Sequence, residues 1–311
     1  MTLLVADIGG TNTRCAQVSA AGIGAVSAYR NAEFPGLAAL LVRHLDGLPR
    51  DERPRAGAFC VAAPIRGDDV HMSNIAWQFS RPALRQALGF DDLLLVNDFA
   101  ALARALPELG TGDLAPVGGG DPVPGAPRVV LGPGTGLGVA SLVPAGNGWI
   151  TLAGEGGHMT LGAGDDREEA VLRAARRRFG HCSAERVLSG HGLAFLHEAL
   201  HGGAVLTPEA IGAGFTAGDA AARETLAVFF GLLGNMAGNT ALMLGAFGGV
   251  YIGGGIVPRY LEAFLHSDFR ERFEAKGRYR GYLQDMPAWV ITDRWPALKG
   301  LAAIMRDAGM R

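Results

Sequence analysis

Apolar residues recur along this chain with two periods, one typical of strands and the other of helices. In the first third, short apolar runs bounded by glycine or polar residues predict strands at 3–7, 14–19, 25–29, 57–63 and 93–96. Apolar residues spaced three or four positions apart predict helices at 37–48, 82–88 and 99–106. Strands that alternate with helices in this way are typical of an α/β fold.

The pattern begins again after residues 107–128, where glycine and proline dominate. We interpret that stretch as an interdomain connection. In "VVLGPGTGLGVASLV" (129–143) a strand, a glycine bend and a second strand follow one another, as they do at the start of the chain. Helical segments dominate 166–244, and then come a strand at 250–252, the strand-like "AWVITD" and an amphipathic helix at 296–310. The recurrence indicates an internal duplication of architecture.

Composition and charge narrow the function classes. The 311 residues allow two domains, and a net charge of −2 gives no general attraction for nucleic acid or an anionic membrane. The three cysteines, Cys15, Cys60 and Cys182, are far apart and odd in number, which is not the pattern of a disulfide framework or a Cys-rich zinc site. We therefore expect a cytoplasmic protein.

One apolar stretch resembles a membrane span. Residues 225–258 contain no charged side chain, but they include Asn235, Asn239 and many glycines. A buried helix followed by a buried strand explains this composition better than a bilayer helix, which would avoid the asparagines. No signal peptide is visible, because a charged n-region is missing and Asp7 interrupts the apolar start.

Three glycine-rich bends are candidate phosphate-binding loops. "ADIGGTNTR" (6–14) places a carboxylate and hydroxyls beside bare backbone, a combination suited to a phosphate and its magnesium ion. "GPGTG" (132–136) and the glycines at 253–255 are the other two. The chain has neither a P-loop nor a complete G-x-G-x-x-G motif. Together, the bends predict a site that holds a triphosphate from two sides.

Polar residues that could bind a sugar lie in three further segments. In "LLLVNDFAALA", Asn97 and Asp98 stand where a strand meets a helix, a place where α/β proteins bind ligands, although a simple helix cap explains them equally well. Glu155 and His158 lie on the glycine-rich "AGEGGHMTLG", and Glu185 begins a predicted helix, where a glutamate is also common for its effect on the helix dipole. Such groups suit the hydrogen bonding of several hydroxyls.

"HEALH" (197–201) presents a rival hypothesis, because it matches the H-E-x-x-H motif of zinc peptidases. The predicted helix ends directly afterwards at "HGGAV", and no third ligand follows at a familiar spacing. We therefore expect no structural zinc. A sugar-binding or regulatory protein without activity is a further alternative, against which Asp98 argues, since a binding protein needs no base there.

Several motifs, in their order and spacing, resemble the bacterial glucokinases of the hexokinase–actin–Hsp70 superfamily. The resemblance covers nearly the whole chain and rests on "DIGGTNTR", "CVAAPIRGDDVHMSNIAWQFS", "VNDFAALA", "GPGTGLGVA", "GEGGHMTLG", "GHCSAERVLSGHGL" and "GGVYIGGGIVPRYLE". It implies an α/β fold of two ribonuclease H-like domains of the actin and hexokinase type, with a cleft between them. The domains would be 1–108 with 296–311, and 109–295.

The resemblance also implies ATP-dependent phosphorylation of glucose at its 6-hydroxyl. Asp98 would be the general base and Asn97 its sugar-binding neighbour. The other residues assigned to the sugar are Asn74, Glu155, His158 and Glu185. The residues assigned to nucleotide and magnesium are Asp7, Gly9, Gly10, Thr11, Asn12, Gly132, Gly134, Thr135, Gly136, Gly253, Gly254 and Gly255.

The partners implied are glucose, ATP with Mg²⁺ near Asp7, and a second copy of the chain in a homodimer. Repressor relatives carry an N-terminal DNA-binding domain and a Cys-rich zinc loop. Six residues precede Asp7, and only Cys182 lies near the corresponding loop, so we expect neither feature here. A kinase of another hexose or amino sugar on the same scaffold stays open.

Overall fold

The computed structural model describes residues 2–72 and 75–310. The strands in chain order are β1 (Leu3–Ile8), β2 (Asn12–Ser19), β3 (Gly22–Ile23), β4 (Ser27–Arg30), β5 (Ala56–Val61), β6 (Asp69–His71), β7 (Gln78–Ser80), β8 (Asp92–Asn97), β9 (Leu114–Gly118), β10 (Arg128–Pro133), β11 (Leu137–Ala145), β12 (Gly148–Gly154), β13 (Val250–Ile252) and β14 (Ala288–Ile291). The helices are α1 (Leu37–Asp46), α2 (Arg81–Leu88), α3 (Asp98–Ala105), α4 (Asp166–Phe179), α5 (Gly190–His201), α6 (Pro208–Ala217), α7 (Ala220–Leu244), α8 (Leu261–Leu265), α9 (Phe269–Glu274), α10 (Arg280–Gln284) and α11 (Pro296–Asp307).

The chain divides into two compact units. Unit 1 comprises Met1–Leu109 with Asp293–Arg311, and unit 2 comprises Gly110–Thr292. The sheet of unit 1 has the order β3-β2-β1-β5-β8, with β4 also paired to β2. The sheet of unit 2 has the order β12-β11-β10-β13-β14-β9. In each sheet three parallel strands adjoin an antiparallel hairpin, β1–β2 in one and β10–β11 in the other, so the two units repeat one architecture.

Alternation along β1 gives unit 1 a core on each side of its sheet. Leu4 and Ile8 pack on one side in a cluster that includes α1 and α2. Leu3 and Val5 point to the other side, where Leu301 of α11 joins them. Because side chains of a strand alternate between faces, Asp7 shares the side of Leu3 and Val5. The carboxylate that we expect at the site therefore belongs to the face covered by α3 and α11.

Helices α3 and α11 approach each other at backbone distance. A Cβ added at Gly300 would lie 1.8 Å from the carbonyl oxygen of Ala101, so only glycine allows this contact. The buried Arg104 then joins the two helices, because its guanidinium donates to Asp307 at 2.6 and 3.1 Å and to Glu108 at 3.0 Å. Helix α11, residues 296–307, is thus fixed to α3 on one face of the sheet of unit 1.

The long helix α7 is the centre of unit 2. It begins at the N-cap Asp219, whose side chain accepts from the Ala222 amide, and ends at Gly245 with a left-handed φ of +59°. Among the described residues it is one helix with the length and hydropathy of a membrane span, and 72% of its most apolar window is buried. The prediction of a buried helix followed by a buried strand, β13, is confirmed.

The stretch 107–128 contains more structure than a connection. Leu114–Gly118 forms the edge strand β9, which pairs antiparallel with β14. The prediction that this stretch only links domains is therefore wrong in part. Its glycines serve packing, since a Cβ at Gly119 would lie 2.2 Å from the Met286 carbonyl oxygen. The strand forms because β14 presents an unpaired edge, which local composition does not reveal.

Candidate active site

The carboxyl ends of three parallel strands bring the predicted polar residues of unit 1 together. Asp7 of β1 lies opposite Cys60 of β5, and the Cys60 thiol donates to Asp7 Oδ1 at 3.5 Å. One position further along β5, Val61 lies opposite Asn97, the last residue of β8. Ligands of open α/β sheets bind at this edge. The predicted candidates Asp7, Asn97 and Asp98 thus lie at one edge of one sheet.

Asn97 both caps α3 and holds the carboxylate of Asp98. Its Oδ1 accepts from the amides of Phe99 at 2.9 Å and Ala100 at 3.2 Å, which leaves its amino group as the donor to Asp98 Oδ1 at 2.9 Å. The Phe99 amide also donates to Asp98 Oδ1, at 3.0 Å. One oxygen of Asp98 is therefore fixed by the protein, and Oδ2 is the oxygen that can meet a ligand.

The two carboxylates of this edge are electrostatically unusual. Burial raises the pKa of Asp98 to about 6, against the opposing hydrogen bond from the Phe99 amide and with a further rise from the charge of Asp7. Burial likewise raises the pKa of Asp7, although Arg14 at 3.2 Å and the Cys60 thiol lower it in part. A carboxylate whose pKa lies close to neutrality is suited to take a proton from a substrate hydroxyl.

A buried asparagine, Asn31, holds the backbone of the first glycine bend in place. The Gly9 amide donates to the Asn12 carbonyl oxygen at 3.0 Å and closes the turn between β1 and β2. The side-chain amide of Asn31 donates to the Gly9 carbonyl oxygen at 2.8 Å, and the backbone amide of Asn31 donates to the Thr11 carbonyl oxygen at 2.9 Å. Thr11 at the tip is exposed, as is required of a group that meets a phosphate.

The second and third bends adjoin each other in unit 2. Gly254 has a φ of +76°, and a Cβ there would lie 2.4 Å from the Pro133 carbonyl oxygen at the end of β10. The Gly190 amide at the start of α5 donates to the Gly134 carbonyl oxygen at 2.8 Å. Gly134, Thr135 and Gly255 line a cavity of about 670 Å³. The other predicted members of these bends, Gly132, Gly136 and Gly253, belong to the same β10–β11 turn and β13 end.

Glu185 connects the second bend to the remaining polar candidates. Its Oε2 accepts from the Leu137 amide at 2.8 Å, and a Cβ at Gly136 would stand 2.5 Å from that oxygen. Glu185 lies in a 3-10 turn, Ala184–Arg186, ahead of α5. The prediction that Glu185 begins an α-helix is therefore wrong, because the element is a short 3-10 turn. Gly136 thus leaves the space that lets the carboxylate reach the bend.

A 3-10 turn, Gly156–His158, follows β12, with Glu155 as its N-cap and His158 as its last residue. The His158 amide donates to the Glu155 carbonyl oxygen at 3.0 Å, and both side chains are exposed. The Ala184 amide donates to the Met159 carbonyl oxygen at 2.9 Å, which ties this turn to the one that bears Glu185. Unit 2 therefore brings together the three predicted residues Glu155, His158 and Glu185. The remaining sugar candidate, Asn74, lies outside the described residues.

Comparison with known proteins identifies the family. The glucokinase family model matches residues 4–308. A glucokinase from Chromobacterium violaceum is 49% identical over 311 residues, covering 98% of this chain and 89% of its own. A crystal structure of glucokinase from an Antarctic psychrotroph superposes with a TM-score of 0.89 at 35% identity, covering 98% of this chain and 99% of the other. The chain belongs to the glucokinase family.

Other relatives of the glucokinase family extend the comparison. The bifunctional protein glk of Paraburkholderia xenovorans is 47% identical over 98% of this chain. The match covers only 49% of that relative's own length. The glucokinase of Balamuthia mandrillaris, solved with glucose, matches with a TM-score of 0.78 over 98% of this chain and 93% of its own, and at 19% identity it supports the fold alone. The predicted α/β fold of two domains of the actin and hexokinase type is confirmed.

Sequence reasoning missed several residues that lie beside the candidate site residues. Arg14 and Cys60 touch Asp7, but a buried thiol in a strand gives no pattern that distinguishes it from core. The rest of the lining of the 670 Å³ cavity is also new, and it consists of Gly190, His191, Leu193, Ala194, Val205, Leu206, Thr207, Pro208, Glu209, Ile256, Arg259 and Tyr260. Only "TPEA", a helix start with Thr207 as its N-cap, could have located part of that lining.

The two histidines of "HEALH" share one hydroxyl group. His197 Nδ1 lies 2.9 Å and His201 Nε2 lies 3.2 Å from Thr225 Oγ1. Within residues 2–72 and 75–310, no three side chains of the histidine, cysteine, aspartate or glutamate types lie together as a metal site would require. The interaction with Thr225 accounts for both rings by packing α5 against α7.

Proposed function

We propose that this chain transfers the γ-phosphoryl group of ATP to the 6-hydroxyl of D-glucose, giving glucose 6-phosphate and ADP, the first step of glycolysis. The observation that carries the proposal is Asp98, a carboxylate at the carboxyl end of β8 with one oxygen held by Asn97 and a pKa raised by burial to about 6. Membership of the glucokinase family supports the same reaction. The name of the relatives, glucokinase, supports glucose as the sugar, and membership of this kinase family supports ATP as the donor.

Asp98 acts as the general base in this proposal. Its free oxygen accepts the proton of the 6-hydroxyl as the O6–phosphorus bond forms and the bond to the bridging oxygen of ADP breaks. Asn97 keeps the carboxylate oriented through its amino group. Glu155, His158 and Glu185, joined through neighbouring backbone hydrogen bonds, bind ring hydroxyls, and Asn74 is proposed to contact the same sugar.

The glycine bends and Asp7 serve the donor. The amides of residues 9–12 and 134–136 and the Thr11 and Thr135 hydroxyls bind phosphate oxygens, while the 670 Å³ cavity beside Gly255 accepts the nucleoside. Mg²⁺ bound with ATP would neutralise charge on the β- and γ-phosphates. Carboxylate oxygens are the ligands that Mg²⁺ takes in proteins, and Asp7, half-buried with 21% of its side chain exposed, offers one.

We also propose a homodimer in the cytoplasm. The three cysteines are free and buried, which suits a reducing compartment. Size-exclusion chromatography with light scattering tests the dimer directly, with a monomer mass at micromolar concentration contradicting it.

A coupled assay tests the activity. Purified protein is supplied with glucose, fructose, mannose or glucosamine, each with ATP, ADP or polyphosphate as donor. The highest kcat/KM is expected for glucose with ATP. A higher value for another hexose or amino sugar would replace the proposed substrate and keep the kinase, whereas no phosphoryl transfer to any sugar would overturn the proposal.

A further inference from the structure

The turn that bears His158 is linked to α4 by residues 159–165, which we call the connecting segment. Its first half is tied to the Glu185 turn, because the Leu161 amide donates to the Cys182 carbonyl oxygen at 3.3 Å and Thr160 pairs with Ser183. Its second half has no strand or helix of its own. Side chains from α4, α7 and α9 hold this second half.

A buried carboxylate on α4 makes the main contact. Glu168 is 3% exposed, and its Oε2 accepts from the Gly164 amide at 2.6 Å. Its Oε1 forms an ion pair with Arg272 of α9, whose other nitrogen lies 3.3 Å from Asp165 Oδ2. Gly164 packs directly on that guanidinium, since a Cβ there would lie 2.3 Å from it. Arg272 therefore contacts the end of the connecting segment, at Gly164 and the N-cap Asp165, and also Glu168 in the first turn of α4.

A second contact comes from α7. Asn235 donates to the Gly162 carbonyl oxygen at 2.8 Å, and Lys276, two residues after the end of α9, donates to the Asn235 backbone carbonyl oxygen at 3.2 Å. Helices α7 and α9 themselves pack at backbone distance, because a Cβ at Gly234 would lie 2.2 Å from the Phe269 carbonyl oxygen. The polar groups that hold the segment thus stand on a rigid pair of helices.

Burying a carboxylate, a guanidinium and an ammonium group is costly unless each is paired. Burial raises the pKa of Glu168, against the Gly164 amide and Arg272, and burial lowers the pKa of Lys276. An apolar contact would hold two helices at lower cost. A polar network does something that an apolar contact does not, because it fixes the direction of the backbone groups that it binds.

We propose that Glu168 and Arg272 are positioning residues for the sugar site: they fix the connecting segment, and through it the turn that carries Glu155 and His158. The inference rests on the proposed function, because the sugar is the ligand whose binding it affects. Neither residue touches the sugar in this proposal. Their effect is to hold the hydroxyl-binding groups in the geometry that binding requires.

The test compares Glu168→Gln with Glu169→Gln, its neighbour on α4. The Glu169 side chain forms exposed ion pairs with Arg173 and Arg176. Glu169 contacts the connecting segment through its backbone amide, which donates to the Asp165 carbonyl oxygen and is kept in the substitution. In Glu168→Gln the KM for glucose should rise on the order of tenfold, while the KM for ATP stays unchanged. Hydrogen exchange of amides 156–164 should become faster. Glu169→Gln should match the wild type in all three measurements.

An unchanged glucose KM in Glu168→Gln, even with a lower Tm, would overturn the inference, since a scaffold role alone lowers stability without selecting one substrate. If Glu168→Gln does not fold, Asn235→Ala replaces it, with the exposed Asn239→Ala one turn later on α7 as its control. Asn235→Ala must then raise the glucose KM and speed exchange at 156–164, or the inference fails. Absence of glucose phosphorylation by the wild-type protein would contradict the proposed function instead, and the exchange comparison would still report on the segment.

Discussion

The amino group of Asn97 donates to the carboxylate of Asp98 at 2.9 Å, while the carbonyl oxygen of the same side chain caps α3 through the amides of Phe99 and Ala100. The two functions fix each other, because the cap determines which end of the Asn97 amide faces Asp98. The competing interpretations of this dipeptide as a helix cap and as a site residue are therefore compatible: capping is how Asn97 is oriented.

Asn97→Asp separates the cap from the donor. Aspartate caps helices as well as asparagine does, so the cap of α3 should be kept. The new carboxylate would repel that of Asp98 and raise the pKa of Asp98 further. The acidic limb of the kcat–pH profile should therefore move to higher pH. An unshifted limb would show that the Asn97 amino group has no influence on the base.

Asp98→Asn keeps the shape of the side chain and removes the base. General-base catalysis contributes roughly 10²–10⁴-fold, so kcat should fall by at least about 10²-fold while glucose still binds, as measured by calorimetry. Asp92→Asn, at the opposite end of β8, is the matched control and should retain wild-type kcat. Near wild-type turnover by Asp98→Asn would show that Asp98 is not the general base and only neighbours the N-cap of α3.

The raised pKa of Asp98 also predicts a pH-dependent stability. The folded protein holds this proton up to about pH 6, whereas an ordinary aspartate releases it at 3.8, so stability decreases as pH rises between these values. At neutral pH the charged group destabilises the fold by up to about 3 kcal/mol. Asp98→Asn should therefore be more stable than the wild type at pH 7 and equal to it near pH 4. Urea unfolding without nucleotide measures the difference, and a less stable variant at pH 7 would contradict the burial of this charge.

Glu185→Gln tests the sugar pocket. Losing a charged hydrogen-bond partner costs about 1.5–3 kcal/mol, or roughly 10- to 150-fold, so the KM for glucose should rise by that factor and the KM for ATP should not. Glu198→Gln is the matched control: Glu185 and Glu198 both line a second cavity of about 310 Å³, but Glu198 is paired with Arg178 at 2.5 Å. A change in the ATP KM alone would move Glu185 to the donor site.

Gly300→Ala probes the contact between α3 and α11. The added methyl group would meet the Ala101 carbonyl oxygen, and such overpacking costs about 1–3 kcal/mol. Because α3 begins at Asp98, kcat should fall together with Tm. Gly281→Ala in α10 enters open space and should leave both unchanged. A Gly300→Ala protein with wild-type Tm would show that the two helices separate easily.

The elements that the sequence predicted well are those in which local pattern and tertiary packing agree. Strand β1 alternates between two cores, and α7 is largely apolar because most of it is buried in the core of unit 2. The strand β9 was missed because it forms by pairing with the distant strand β14, a contact that appears only in three dimensions.

The site shows the same division. The glycine bends and Asn97–Asp98 have recognisable local motifs, and their positions at strand ends follow from the topology. The cavity wall around Arg259 and Tyr260 and the thiol beside Asp7 consist of residues far apart in the chain, with side chains that occur everywhere in α/β proteins. Their proximity depends on register and packing, which one sequence does not encode in any short window.

The return of α11 to unit 1 has a consequence for biosynthesis. Leu298, Leu301 and Met305 complete the core on the Leu3 and Val5 side of the first sheet, yet the ribosome makes them after the whole of unit 2. During translation, that apolar face stays uncovered while 183 residues of unit 2 (292 − 110 + 1) are added. Unit 2 is continuous in the chain and can fold as soon as it has been synthesised. Unit 1, which bears Asp98, cannot complete its core until α11 has been made. Its exposed apolar face is therefore the part of the nascent chain that a chaperone would bind.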